Sequence, residues 1–415
     1  MNLYEKTIAN HFAKTGATKK VSIEGQPNDQ YDVYKIPLTE LYYNDQNGRI
    51  NTAYKQYLAG HTSLKPEPGN SKYNEIFQEF IYNSNTQALD DTLRSIKEKT
   101  QQEPAVVLPD GRVIDGNRRF TALRIFQQED NVPKDMDAII IPLDSKNDQK
   151  TIKELELDLQ LGREEKVPYS PIDRIFDVYN TICVTKIMNT EEYKRASGAG
   201  NTIGIKRDIR LAKLILKFIE IVSPGGEAID KFYLARDLKL DGPIEEIEST
   251  ISKMDDSDKE SITEAVLVQL AVAKSDIYQL EPKLVMRQLK TNVLKNPDNL
   301  NHYLSAVDDK VDTVIDAFEE NPITTAGDLK KVVANDPNLT NQAEKLKNAT
   351  DRLIYKGKTD SKRKKALVRL EDISESLESI KPEDFDELNQ DDFFEAKEVL
   401  KKIHATLYNL RKVLN

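Results

Sequence analysis

At 415 residues the chain exceeds what a single hydrophobic core organises, so two or three domains are expected. Lys and Arg number 60 against 70 Asp and Glu, a formal net charge of −10, which excludes a chain that coats nucleic acid non-specifically but leaves room for local basic faces. One cysteine, four scattered histidines and no apolar run of bilayer length exclude a disulfide framework, an evident zinc site and a spanning helix.

Residues 1–30 hold a short amphipathic stretch and the polar run 25–30. The polar start Met1-Asn2-Leu3-Tyr4-Glu5-Lys6 does not read as a signal peptide, so a cytoplasmic protein with no membrane partner is expected. Residues 31–145 show a mixed α/β pattern. Within it, residues 50–92 form an insertion rich in Tyr, Asn and Gln, read as a surface excursion, with a lid or a partner surface as the alternatives.

The densest signal follows. Ala105-Val106-Val107-Leu108 reads as a strand, Asp110-Gly111 as a hairpin turn and Val113-Ile114 as the return strand. Asp115-Gly116 ends it. Asn117 to Gln128 has helical spacing, with Phe120, Leu123, Ile125 and Phe126 as its apolar positions. A strand, a glycine elbow and a helix whose first turn holds Arg118 and Arg119 can cradle a phosphate, because a helix start presents free N–H groups and positive dipole charge. The same arginines can equally serve as salt-bridge partners on a solvated face.

From Thr151 the pattern is helical. Glu154-Leu155-Glu156-Leu157-Asp158-Leu159-Gln160 reads as helix despite its strict alternation. Cys183, in the apolar stretch Val178 to Ile187, reads as a buried structural thiol. The turn Ser197 to Asn201 separates a short helix, begun at Thr190, from a basic one. There Lys206, Arg210, Lys213 and Lys217, with Arg207 beside them, form one stripe, and Ile205, Ile209, Ala212 and Leu216 an apolar neighbour. Such a helix suits a DNA groove, or is a surface helix with snorkelling lysines. Breaks are expected at Ser223-Pro224-Gly225-Gly226, Asn296-Pro297, Asn321-Pro322, Asp336-Pro337 and Lys381-Pro382. The basic run Lys356 to Lys365 reads as a charged loop and helix start. Near the C-terminus, Phe393, Phe394, Ala396, Val399, Leu400, Ile403, Leu407, Leu410 and Val413 make an apolar stripe. It suits packing within the chain or a homodimer. Composition and pattern divide the chain into 1–150, 151–245 and 246–415.

The order of segments resembles the N-terminal domain of the ParB family. Its pieces correspond here to Ile36-Pro37-Leu38, Asn47-Gly48-Arg49, Leu93-Arg94-Ser95-Ile96, Gln102-Glu103-Pro104-Ala105-Val106-Val107 and Gly116-Asn117-Arg118-Arg119-Phe120-Thr121-Ala122. The resemblance spans residues 30–175. It implies an α+β N-terminal domain of the ParB/sulfiredoxin fold, followed by an all-α middle and C-terminal region.

It also implies a nucleoside triphosphate, CTP or ATP, held by its phosphates at Gly116, Asn117, Arg118, Arg119 and Thr121, with Arg49 assisting. Mg²⁺ would sit by Glu156 or Asp158, with Gln160 and Arg163 nearby. The family's glutamate in this box is Asn117 here, which cannot act as a base or supply charge to a metal. The implied activity is nucleotide-dependent DNA binding in segregation or mobile-element control, in a bacterium, phage or plasmid, with an NTPase step open. The helix-turn-helix following the family's nucleotide domain resembles the turn before Lys206, and the family's dimers raise the homodimer reading. A ParB-like nuclease, a phosphotransferase of the same fold and a non-catalytic defence or adaptor protein are the alternatives. A sulfiredoxin is disfavoured, since no cysteine lies in the elbow.

Overall fold

In this computed structural model the described residues are 2–23, 26, 29–161, 169–254, 256–378, 380, 385, 388 and 390–414. Arg163, the expected break at Lys381-Pro382 and residues 25, 27 and 28 of the polar run 25–30 lie outside them. The chain forms two compact units, Met1–Asp351 and Arg352–Asn415. The boundary between these two units falls after Asp351.

The N-terminal part opens with helix α1 (Leu3–Ile8) and builds a mixed sheet of six strands: β1 (Ala13–Lys20), β2 (Gln30–Pro37), β3 (Tyr42–Tyr43), β4 (Ala105–Val107), β5 (Arg112–Asp115) and β6 (Asp135–Ile140). Their order across the sheet is β1-β2-β6-β4-β5-β3, with β4/β6 and β3/β5 parallel and the other pairs antiparallel. β4 and the second half of β6, Ala138 to Ile140, are apolar at every position because side chains there alternate between two covered faces. Ala105, Val107, Val113, Ala138 and Ile140 point into one core, under helices α3 (Ser71–Ser84), α4 (Thr86–Lys99) and α5 (Asn117–Asp130). Val106, Leu108, Ile114, Ile139 and Ile141 point into the other, closed by Ile152, Leu155 and Leu159 of α6 (Gln149–Leu161).

The hairpin and the helix after it stand where the sequence puts them. Gly111 turns at φ +95, and a Cβ there would lie 2.3 Å from the Glu40 carbonyl oxygen, so the position requires glycine on both counts.

The reading of 50–92 as a surface excursion is corrected. It contains α2 (Asn51–Leu58) and α3, and Tyr73, Phe77 and Ile81 are buried in the core. The Tyr73 hydroxyl donates to the Tyr43 carbonyl at 2.9 Å, and the Asn74 amide donates to the Leu41 carbonyl at 3.0 Å.

Helices fill the remainder: α7 (Pro171–Tyr179), α8 (Thr190–Ser197), α9 (Ile203–Val222), α10 (Tyr233–Asp237), α11 (Asp241–Ile251), α12 (Asp256–Lys274), α13 (Pro282–Leu289), α14 (Pro297–Glu320), α15 (Ala326–Asn335), α16 (Pro337–Glu378) and α17 (Gln390–Leu414). The architecture is therefore an α+β N-terminal layer followed by helices. Proline starts α14 and α16 as expected. Cys183 is half-buried, not buried, in a single wide turn after α7. Lys356 to Asp360 lie inside α16, correcting the loop reading; of the rest of that run, 361–365, no side chain is described. Among the described residues no helix is long and apolar enough to cross a membrane.

Candidate functional site

The elbow builds one wall of a cavity of about 710 Å³. β5 ends at Asp115, and Gly116 turns the chain with φ +103 into α5. A Cβ at Gly116 would stand 2.9 Å from the Ala105 Cβ and 3.0 Å from Nη2 of Arg119, so a left-handed residue without a side chain is required. No side chain caps α5, which leaves its first N–H groups facing the cavity.

Four cations line this space. Arg118 and Arg119 come from α5, Arg49 from the loop before α2 and Lys19 from β1. Asp115 balances part of the charge, 3.2 Å from Arg119 and 4.0 Å from Lys19. Arg118 is half-buried, and no described residue makes a hydrogen bond or ion pair with it. Burial, then Arg49 and Arg119, push its guanidinium below the usual pKa. Burial also lowers Arg49, whose guanidinium lies 5.6 Å from the centre of the Tyr169 ring.

Two polar atoms are buried without a partner among the described residues: Oδ1 of Asn117 and Nε of Arg119. The Asn117 amide is oriented by its own hydrogen bond, since Nδ2 donates to the Val113 carbonyl at 3.2 Å. Its oxygen is thus left needing a donor. The arrangement suits a polyanion that also offers a hydroxyl or amino group.

Thr121 does not line the cavity. It is fully buried, donates to the Asn117 carbonyl at 3.0 Å and shares a 2.8 Å hydrogen bond with the Tyr43 hydroxyl. Glu156 and Asp158 do not converge on a metal. Two residues apart on α6, they point roughly 200° from each other. Asp158 is exposed at a separate, smaller cavity beside Glu154 and Arg195. Glu156, 1% exposed, accepts from the Gly48 N–H at 3.4 Å and lies 3.5 Å from Lys153, which is 2.6 Å from Asp177. Burial raises the Glu156 carboxyl, whereas Asp177 and Glu156 outweigh burial at Lys153 and raise its ammonium. Glu156 therefore anchors the loop that carries Arg49. Among the described residues no group of three or more His, Cys, Asp or Glu could hold a metal ion, and with Glu156 engaged by Gly48 and Lys153 and Asp158 facing a different cavity, the two carboxylates do not together fit Mg²⁺.

The basic stripe of α9 is largely engaged. Arg207 pairs with Glu245 at 2.7 Å, Arg210 with Glu248, and Lys217 with Glu264 at 2.9 Å. These acids lie on α11 and α12, so the stripe is mainly a seam of the helical bundle. Lys206 and Lys213 are exposed, and no described residue pairs with them. α8, the turn and α9 do pack as a pair, through Tyr193 and Ile205.

The sequence reading missed Lys19, Asn47, Asn85, Thr92 and Ser95 as lining residues. Lys19 lies in a strand whose run Ala13 to Lys20 lacks apolar alternation, so no periodic signal marks it.

No model of a known protein family matches the chain, and no curated protein matches it. A solved structure of a Pnob8-like ParB-N domain, in its C2221 form, is similar over 69% of this chain and 98% of that one, at 11% identity and a TM-score of 0.29. A score of that size establishes no shared fold.

Proposed function

We propose that the chain is a ParB-like nucleotide-binding protein that holds a nucleoside triphosphate by its phosphates at Gly116, Asn117, Arg118 and Arg119, with Arg49 and Lys19 closing the charge. The observation behind this reading is the pair of orphaned buried atoms at the first turn of α5, Asn117 Oδ1 and Arg119 Nε, beside an Arg118 without a partner. A phosphate chain would satisfy the arginine and the first-turn N–H groups, and a ribose hydroxyl would satisfy the asparagine. The free site is a crowd of like charges, so an anion has a large differential affinity for the ordered elbow. That makes it a switch between a loose and a closed arrangement.

The DNA-binding half of the reading rests on Lys206 and Lys213, at the outer edge of α9. The test is DNA binding by the full chain over a salt series, with and without each nucleoside triphosphate, with hydrolysis and DNA nicking followed in parallel. Nucleotide-dependent DNA binding without nicking is the expected outcome. Nicking would move the protein to the nuclease class, and nucleotide binding without DNA binding would move it to the adaptor class.

A further inference from the structure

The resemblance to ParB proteins implies a divalent cation beside the phosphates, and the donor set of this chain departs from it. A Mg²⁺ ion is held by one or two carboxylates together with phosphate oxygens. At the elbow the family's glutamate is Asn117, whose orphaned Oδ1 is buried and neutral. Asp115 lies 3.2 Å from Arg119 and 4.0 Å from Lys19. The other acids of the cavity, Asp91 and Glu103, are exposed, 3.5 Å from Arg94 and 3.9 Å from Lys19. Behind the elbow, two carboxylates already share a cation. Lys153 Nζ stands 2.6 Å from Oδ1 of Asp177 and 3.5 Å from Oε2 of Glu156, and all three residues are buried. The remaining oxygens of these acids accept from the Tyr193 hydroxyl at 2.9 Å and from the Gly48 N–H at 3.4 Å. A metal that took either acid would leave the buried ammonium short of counter-charge, a costly exchange.

We propose that the elbow takes its polyphosphate as the free anion, with Lys19, Arg49, Arg118 and Arg119 supplying the positive charge that a divalent cation would otherwise bring. This rests on the phosphate reading above and names the form of ligand the site accepts. Guanidiniums pair with phosphate oxygens two at a time, and they are more weakly hydrated than Mg²⁺, which dehydrates reluctantly. A chelated triphosphate carries two negative charges fewer and brings Mg²⁺ close to the same four cations. Chelation therefore lowers the attraction on both counts. Lys153 completes the arrangement from behind. Its ammonium offsets the Glu156 charge, so that this carboxylate can hold the Gly48 backbone and thereby the Arg49 loop without a metal.

The test is titration calorimetry of the full chain with inorganic tripolyphosphate, ATP, CTP, GTP and UTP. Each probe is run in buffer freed of divalent cations by a chelating resin, and again with millimolar Mg²⁺ at matched ionic strength. At least one probe is expected to bind in the divalent-free buffer, and Mg²⁺ is expected to leave its affinity unchanged or to lower it several-fold. Lys19→Gln is expected to weaken that probe several-fold without Mg²⁺, whereas Asp158→Asn, at an exposed position, is expected to change nothing in either buffer. Affinity of the unaltered chain that rises with Mg²⁺, or binding seen only in its presence, overturns the inference and leaves the phosphate site standing. Affinity that Lys19→Gln does not move, or that falls in Asp158→Asn, overturns it as well. No binding of any probe in either buffer removes the phosphate site and this inference together.

Discussion

The charge of Arg49 works against that of Arg118: the two guanidiniums line one cavity, and Arg49 helps to depress the pKa of Arg118. Such crowding stores unfavourable energy that a bound anion would release. Arg118→Gln should therefore leave the ligand-free chain as stable or more stable, by a few tenths to about 1 kcal/mol after allowance for partial solvent screening. The same change should weaken tripolyphosphate binding about tenfold. Thermal unfolding with and without tripolyphosphate measures both. A variant that loses stability and keeps its affinity would make Arg118 an ordinary structural residue.

On α9 the paired and unpaired cations should separate in one experiment. Arg210→Gln leaves Glu248, 3% exposed, without its partner and should cost about 1–2 kcal/mol of stability, the exposed arginine end limiting the loss. Lys206→Gln with Lys213→Gln should leave stability within about 0.5 kcal/mol and reduce the salt slope of DNA binding by roughly two. Denaturant unfolding and a salt titration of DNA affinity read these out. A salt slope that the double variant leaves unchanged returns α9 to a purely internal role.

The strand-elbow-helix unit was legible because each piece has a local cause. Gly111 and Gly116 mark backbone that only glycine adopts easily, and Phe120 and Leu123 mark a buried helix face. The charge pairing was not legible. Arg210 and Glu248 are 38 residues apart, as are Arg207 and Glu245, and only the packing of α11 on α9 turns a basic stripe into an ion-paired seam. The alternation of Glu156 and Asp158 likewise hides that one faces the core and the other solvent. Lys19 escaped notice because β1 is the outer strand of the sheet, where polar side chains discourage further pairing and erase the period-two signal.

A pH-dependent contribution comes from Glu246, where Arg287 donates at 2.7 Å and Lys290 at 2.9 Å. Their hydrogen bonds lower its carboxyl to about 2 from an ordinary 4.5. Since the folded value is depressed, the stabilisation is complete above about 4.5 and is lost as pH falls toward 2. Glu246→Gln should cost roughly 1 kcal/mol near neutrality, less than the full shift because Arg287 is half exposed, and progressively less as pH falls through about 2. Thermal midpoints of both chains across this window check it. A deficit that persists undiminished at the acid end contradicts the pairing.

Within the second unit, α17 presents Phe393, Phe394 and Val413 at 54%, 67% and 83% exposure. An apolar stripe left so open is expected to self-associate. Light scattering should find the full chain dimeric at micromolar concentration and a chain ending at Ile380 monomeric. A monomeric full chain rules out a stable dimer joined by this helix.

The most direct test of the phosphate site is titration calorimetry of the full chain and of Arg119→Ala with a nucleoside triphosphate. One triphosphate should bind per chain, and the variant's affinity should fall at least about tenfold, since it loses a charge-assisted and partly buried contact. An unchanged affinity in Arg119→Ala, or no binding by the unaltered chain, would contradict a phosphate site at the elbow.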